Sequence, residues 1–99
     1  MIDLIQKEIL SNIPNLYKTE DEKDPLCHIK LFTPDSNFTW YIIESSIDED
    51  ICYCYTVGLE SELGYISLVE LKTIRGSLNL PIERDMSFKP TLLSKIKEL

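Results

Sequence analysis

Glycine is scarce in this chain of 99 residues: only Gly58, Gly64 and Gly76 occur. Loops that cradle phosphate need glycines at close intervals so that the backbone can approach the ligand, and this spacing excludes them. Histidine occurs once, at His28, with no Gly-x-Ser-x-Gly elbow beside it, so nucleophile–base catalysis has no recognisable setting. Cysteines number three, an odd count that fits a reducing compartment better than a disulfide framework. There is no Cys-x-x-Cys knuckle, and neighbours on a strand such as Cys27 and His28 face opposite ways. Neither a metal nor a cofactor is therefore expected. Long apolar runs are missing, so no membrane span is expected. The stretch from Met1 to Glu8 carries acids where a signal peptide has a basic end, which points to a cytoplasmic protein. The glycosylation pattern Asn37-Phe38-Thr39 is then a coincidence. Basic residues are also few, 10 against 17 acids, and direct nucleic-acid binding over a wide surface needs clustered Lys and Arg.

What is present is ordinary for one globular domain spanning residues 1–99. Apolar residues make up 43% and charged residues 27%, which rules against global disorder. The net charge of −7 is unevenly spread. Residues 1–69 hold thirteen acids against four bases, whereas residues 70–99 hold four acids against six bases. Such an asymmetry either solvates one surface or presents an acidic face to a basic partner, in the extreme by imitating a nucleic-acid backbone.

The periodicity predicts an α+β fold: an antiparallel meander of three to five strands, with short helices at the N-terminus, after the sheet and at the C-terminus. Asp3 and Gln6 form a capping box, and Ile2, Ile5, Ile9 and Ile13 make one helical stripe ended by Pro14. The charge run Glu20-Asp21-Glu22-Lys23-Asp24-Pro25 reads as a solvated loop without the spacing of a calcium loop. Strands are expected over 26–33, 38–44 and 51–57, with a fourth over 62–67; the turn Pro34-Asp35-Ser36-Asn37 joins the first two. Cys27, Ile29 and Leu31 are expected on the packed face, opposite His28, Lys30 and Phe32. Whether Trp40 or Tyr41 shares the packed face stays open, as does whether the C-terminal segment covers the aromatic second face. Ser67 and Glu70 form a second capping box for a helix bearing Leu68, Leu71 and Ile74, with Gly76 as its left-handed end. An ordered loop over Leu78–Asp85, a short edge strand at Met86–Lys89 and a last helix with Leu92 or Leu93, Ile96 and Leu99 complete the chain.

Three groups of residues are candidates for function. Trp40, Tyr65 and Arg84 could line a pocket for a nucleotide-like anion, with ring stacking and a forked guanidinium as contacts. Asp48, Glu49 and Asp50 form the most concentrated acidic turn, a candidate partner-binding patch. Arg84, between Glu83 and Asp85, could instead tie an irregular loop to Asp35 or Glu62 as a structural polar cluster, because a loop with few backbone bonds needs side-chain partners.

The stretches Phe32–Tyr41, Glu62–Leu71, Arg75-Gly76, Leu80–Asp85 and Phe88-Lys89-Pro90, in this order, resemble a domain-of-unknown-function family of small proteins from phages, plasmids and other mobile elements. Phe38 and the Cys52-Tyr53-Cys54 triplet depart from its pattern. The resemblance implies a mobile-element accessory protein and brings no activity or catalytic residues. The leading expectation is a non-enzymatic protein that binds a host protein, a defence or DNA-processing factor, through its acidic surface. The alternative is the small-ligand domain using Trp40, Tyr65 and Arg84, and an enzyme stands behind both. An unpaired edge strand leaves a homodimer open.

Overall fold

Three long stretches of alternating, β-branched and aromatic residues decide the architecture, and they pair with their neighbours in sequence. The fold was determined as a computed structural model that describes residue 5, residues 7–46 and residues 50–98. Strand β2 (Ile29–Phe32) pairs with β3 (Thr39–Ser46), β3 with β4 (Ile51–Val57), and β4 with β5 (Ser61–Ser67), all antiparallel. A two-residue strand, β6 (Glu83–Arg84), returns to the other side of β2, giving the order β5-β4-β3-β2-β6. A separate small ribbon joins β1 (Leu26–Cys27) to β7 (Thr91–Leu92). Short helices α1 (Lys7–Leu10), α2 (Leu68–Thr73) and α3 (Leu93–Lys97) complete the α+β fold expected from the sequence.

The sheet is packed on both faces. Leu31 lies opposite Trp40, and Ile29 opposite Ile42, so Trp40 belongs to the first face and Tyr41 to the second. On the first face Ile29, Leu31, Trp40, Ile42, Cys52 and Cys54 meet Leu71 of α2 and the N-terminal stripe of Ile5, Ile9, Leu10 and Ile13. On the second, α3 lays Leu93 and Ile96 over Tyr41 and Ile43, with Phe88, Tyr53 and Tyr55 around them. The C-terminal segment thus covers much of the aromatic face. Complete burial of a Leu or Ile contributes about 1.5–3 kcal/mol, so Leu31, Ile42, Ile43 and Leu71 anchor both layers.

Several local expectations change. Cys27 lies on the second face, not beside Ile29 and Leu31, because its strand stops before His28 and pairs with β7. The edge strand forms at Glu83–Arg84 rather than Met86–Lys89: the Asp85 carboxylate accepts from the Ser87 N–H at 3.0 Å and turns the chain out of the ladder. Of the first helix, Asp3, Gln6 and Ile2 fall outside the described residues, as does Leu99 of the last. In the second helix Ser67 caps as expected, accepting from the Glu70 N–H at 3.2 Å.

Gly76 does not end α2 in the left-handed region; no glycine has positive φ, and the helix closes at Ile74 in extended backbone. Glycine is needed there because the Asp35 carboxylate lies against its Cα. That carboxylate accepts from the N–H groups of Leu78 at 2.7 Å and Leu80 at 3.2 Å, fastening the loop after α2 to the β2–β3 turn. A Cβ at position 76 would sit 1.6 Å from Asp35 Oδ1, whereas one at Gly64 would meet nothing within 4 Å. Gly76→Ala is therefore expected to lower stability by about 1–3 kcal/mol in urea denaturation, through displacement of Asp35. Gly64→Ala should change it by less than about 1 kcal/mol.

Candidate functional site

Strict alternation along Trp40-Tyr41-Ile42-Ile43-Glu44 would turn Glu44 into the first core. A register shift between Ile42 and Glu44 prevents this: Ile42 stands opposite Cys54, yet Glu44 stands opposite Tyr53. This β-bulge sends Ile43 and Glu44 to the same, second face. Glu44 ends up 2% exposed. Its carboxylate accepts from the Tyr17 N–H at 2.9 Å, from the Thr19 N–H at 2.8 Å and from the Thr19 hydroxyl. Bonds from a carboxylate to backbone N–H are the stronger, charge-assisted kind, so a buried Glu44 is compensated by the loop it holds. The segment leading into the charge run Glu20–Pro25 is thus fastened to the sheet.

The fastening has a consequence for Tyr17. Its φ of 69° lies in the left-handed region, which costs a residue with a side chain about 1–2 kcal/mol. The bond from its N–H to Glu44 offsets that cost and sets the ring against Tyr65, with centroids 6.3 Å apart. Tyr65 in turn lies 5.0 Å from Tyr53. Together with Glu44, Glu20, Glu22, Lys23, Leu63 and Lys97, the three rings line a cleft of about 380 Å³. Tyr17 is 62% and Tyr65 55% exposed. Partial desolvation, and then the neighbouring Tyr17 hydroxyl and Glu44 carboxylate, push the Tyr65 hydroxyl above its ordinary pKa. Ring faces beside carboxylates favour a cation, and the protein's own Lys97 lies 5.6 Å from the Tyr55 ring.

Trp40, Tyr65 and Arg84 do not share a pocket. Trp40 is buried on the first face, stacked on Phe38 at 6.0 Å. Tyr65 lies on β5 and Arg84 on β6, the two opposite edges of the sheet. Arg84 lines its own open cleft of about 580 Å³ with Lys30, Asp85, Ser36 and Asn37. Among the described residues no ion pair ties Arg84 to Asp35, Glu62, Glu83 or Asp85. The acids grouped with it have separate positions: Glu62 is exposed on β5, Asp35 binds the loop after α2, and Asp85 meets Lys30 at 3.8 Å. Asp48 and Glu49 lie outside the described residues. Asp50 binds the Ser67 hydroxyl and the Val69 N–H, so its carboxylate serves the start of α2.

The thiols are poor nucleophiles. Burial pushes Cys27 and Cys52 up to about 12, and Cys54 is raised as well. Among the described residues no three His, Cys, Asp or Glu side chains are grouped to hold a metal ion. Glu44, Tyr17 and Thr19 were not visible as site residues in the sequence. The available signal was a lone glutamate directly after four large apolar residues.

A family model described as "Protein of unknown function (DUF2958)" matches residues 2–97. The chain belongs to that family. No curated protein and no solved structure matches it. The matched range includes the bulge at Ile43, the Tyr17 loop and the whole sheet, so the cleft lies within the family's extent.

Glu44→Gln keeps the shape but places an amide nitrogen against N–H donors, and one acceptor is lost. It is expected to destabilise by about 2 kcal/mol in urea denaturation. Glu20→Gln, at an exposed position, should stay within about 0.5 kcal/mol.

Proposed function

We propose that this is a non-enzymatic accessory protein of a phage or other mobile element. It works in the cytoplasm by binding a host protein, a defence or DNA-processing factor, through its acidic surface. The observation that carries this reading is the cleft in which the exposed Tyr17 and Tyr65 stand beside three acids, Glu20, Glu22 and the buried Glu44, against two lysines, Lys23 and Lys97. Tyrosines with an apolar ring and a polar tip bury contact area at low entropic cost, and acids around them choose a basic partner.

A second reading has one specific observation in its favour. Arg84 lines an open cleft with Lys30 and the polar side chains of Ser36 and Asn37, and has no ion-pair partner among the described residues. That edge suits a small anion held by a guanidinium.

The test is affinity capture from host cells carrying the mobile element, at about 0.05 M and about 0.5 M salt, where exposed charges are screened to very different degrees. A specific protein should be retained at low salt, released at high salt, and lost with Glu20→Gln/Glu22→Gln. Retention that is indifferent to salt and to these substitutions contradicts the acidic-surface reading. Loss with Arg84→Ala alone would favour the anion cleft.

A further inference from the structure

The two edges of the main sheet are unequal. At one edge β6 is two residues long and stops where Asp85 turns away. At the other, β5 runs for seven residues, and among the described residues nothing pairs with its outer side. Its sequence, Ser61 to Ser67, contains no proline and no lysine, the usual guards of a free edge. Seven extended residues offer about 20 Å of open backbone donors and acceptors.

From this edge, and resting on the acidic-surface reading above, we infer that β5 accepts an extended basic segment of the partner protein as a sixth strand. One lysine or arginine of that segment enters the cleft formed by Tyr17, Tyr53 and Tyr65. Main-chain bonds to β5 supply the register, and the cleft supplies the selection, as in other cases of strand addition. Tyr65 and Leu63 project from β5 on the cleft side and line the cleft, so a strand added beside β5 lies next to it. A lysine or arginine stem can lie along a ring face and leave its charged end beside Glu20 and Glu22, in a cleft that also holds Lys23 and Lys97.

Charge decides between a foreign strand and a second copy of this chain. Glu62 within the edge strand and Glu60 just before it are acidic and exposed, as are Glu20 and Glu22, which line the cleft. With thirteen acids against four bases over residues 1–69, two copies meeting edge to edge would bring like charges together. A basic segment meets opposite charge at Glu62 within β5, at Glu60 just before it, and at Glu20 and Glu22 by the cleft.

The experiment titrates the full chain into a fluorescent nine-residue peptide that alternates lysine with valine, followed by anisotropy. Two further peptides carry N-methyl groups on one or the other alternate set of amides. At least one methylated peptide should bind about tenfold more weakly, since it cannot donate to the β5 backbone. Tyr65→Ala should weaken the parent peptide about fivefold, and Tyr65→Phe should leave it unchanged, with circular dichroism confirming the fold of both. Equal binding of all three peptides overturns strand addition. Equal binding by Tyr65→Ala overturns the assignment of the cleft, and a dimer that the peptide fails to dissociate overturns the choice of occupant. Binding that responds to salt but not to methylation or to Tyr65 leaves the acidic-surface reading standing without this inference. No salt-sensitive binding by any peptide counts against both.

Discussion

One carboxylate holds the Tyr17 loop to β3, the most buried strand of the sheet. Glu44 reaches the second face only because the bulge at Ile43 reverses the alternation of β3. Once there it is inaccessible to solvent, and it needs the backbone donors of Tyr17 and Thr19 as much as they need it. The same bonds offset the left-handed backbone of Tyr17 and bring its ring to Tyr65. Remove the carboxylate and three things fail together: the loop's attachment, the backbone of Tyr17 and the wall of the cleft.

The pattern extends beyond Glu44 and changes what the net charge of −7 means. Asp24 accepts from the N–H and hydroxyl of Ser94 and so secures the first turn of α3; these bonds hold its carboxyl below the ordinary range. Asp35 fastens the loop after α2, Asp50 the start of α2, and Asp85 the turn after β6. These acids are spent on backbone donors that short helices and irregular loops would otherwise leave unpaired. Those that remain exposed, Glu20 and Glu22 at the cleft and Glu60 and Glu62 along the β5 edge, are the ones able to meet a partner. An acidic composition therefore has two causes here, one internal and one outward.

Periodicity made the strands and the last two helices legible, because alternation over β2 to β5 and the Leu68, Leu71, Ile74 stripe are local signals. Ile29 and Leu31 were placed correctly, but which face β3 turned to the first core was not legible, since Trp40-Tyr41-Ile42-Ile43 is apolar on both sides. The bulge was hidden for the same reason: in a run without polar residues, a one-residue slip leaves no mark. Gly76 was recognisable as a special position, but the constraint is contact with Asp35, forty-one residues away in sequence, and not its own backbone angle. The cleft was out of reach because Tyr17, Glu44, Tyr53 and Tyr65 come from four separate segments. The residues singled out for a pocket were chosen by type, and the topology sends Tyr65 and Arg84 to opposite edges.

The account depends on the Tyr17 loop being a preformed part of the surface. Amide hydrogen exchange measured by NMR tests this directly, because exchange reports how often each N–H opens to water. The amides of Tyr17 and Thr19 should exchange orders of magnitude more slowly than that of the nearby Asp21, at rates close to those of the β3–β4 ladder. If Tyr17 and Thr19 exchange as fast as Asp21, Glu44 does not hold the loop, and the cleft is not a standing feature of the protein.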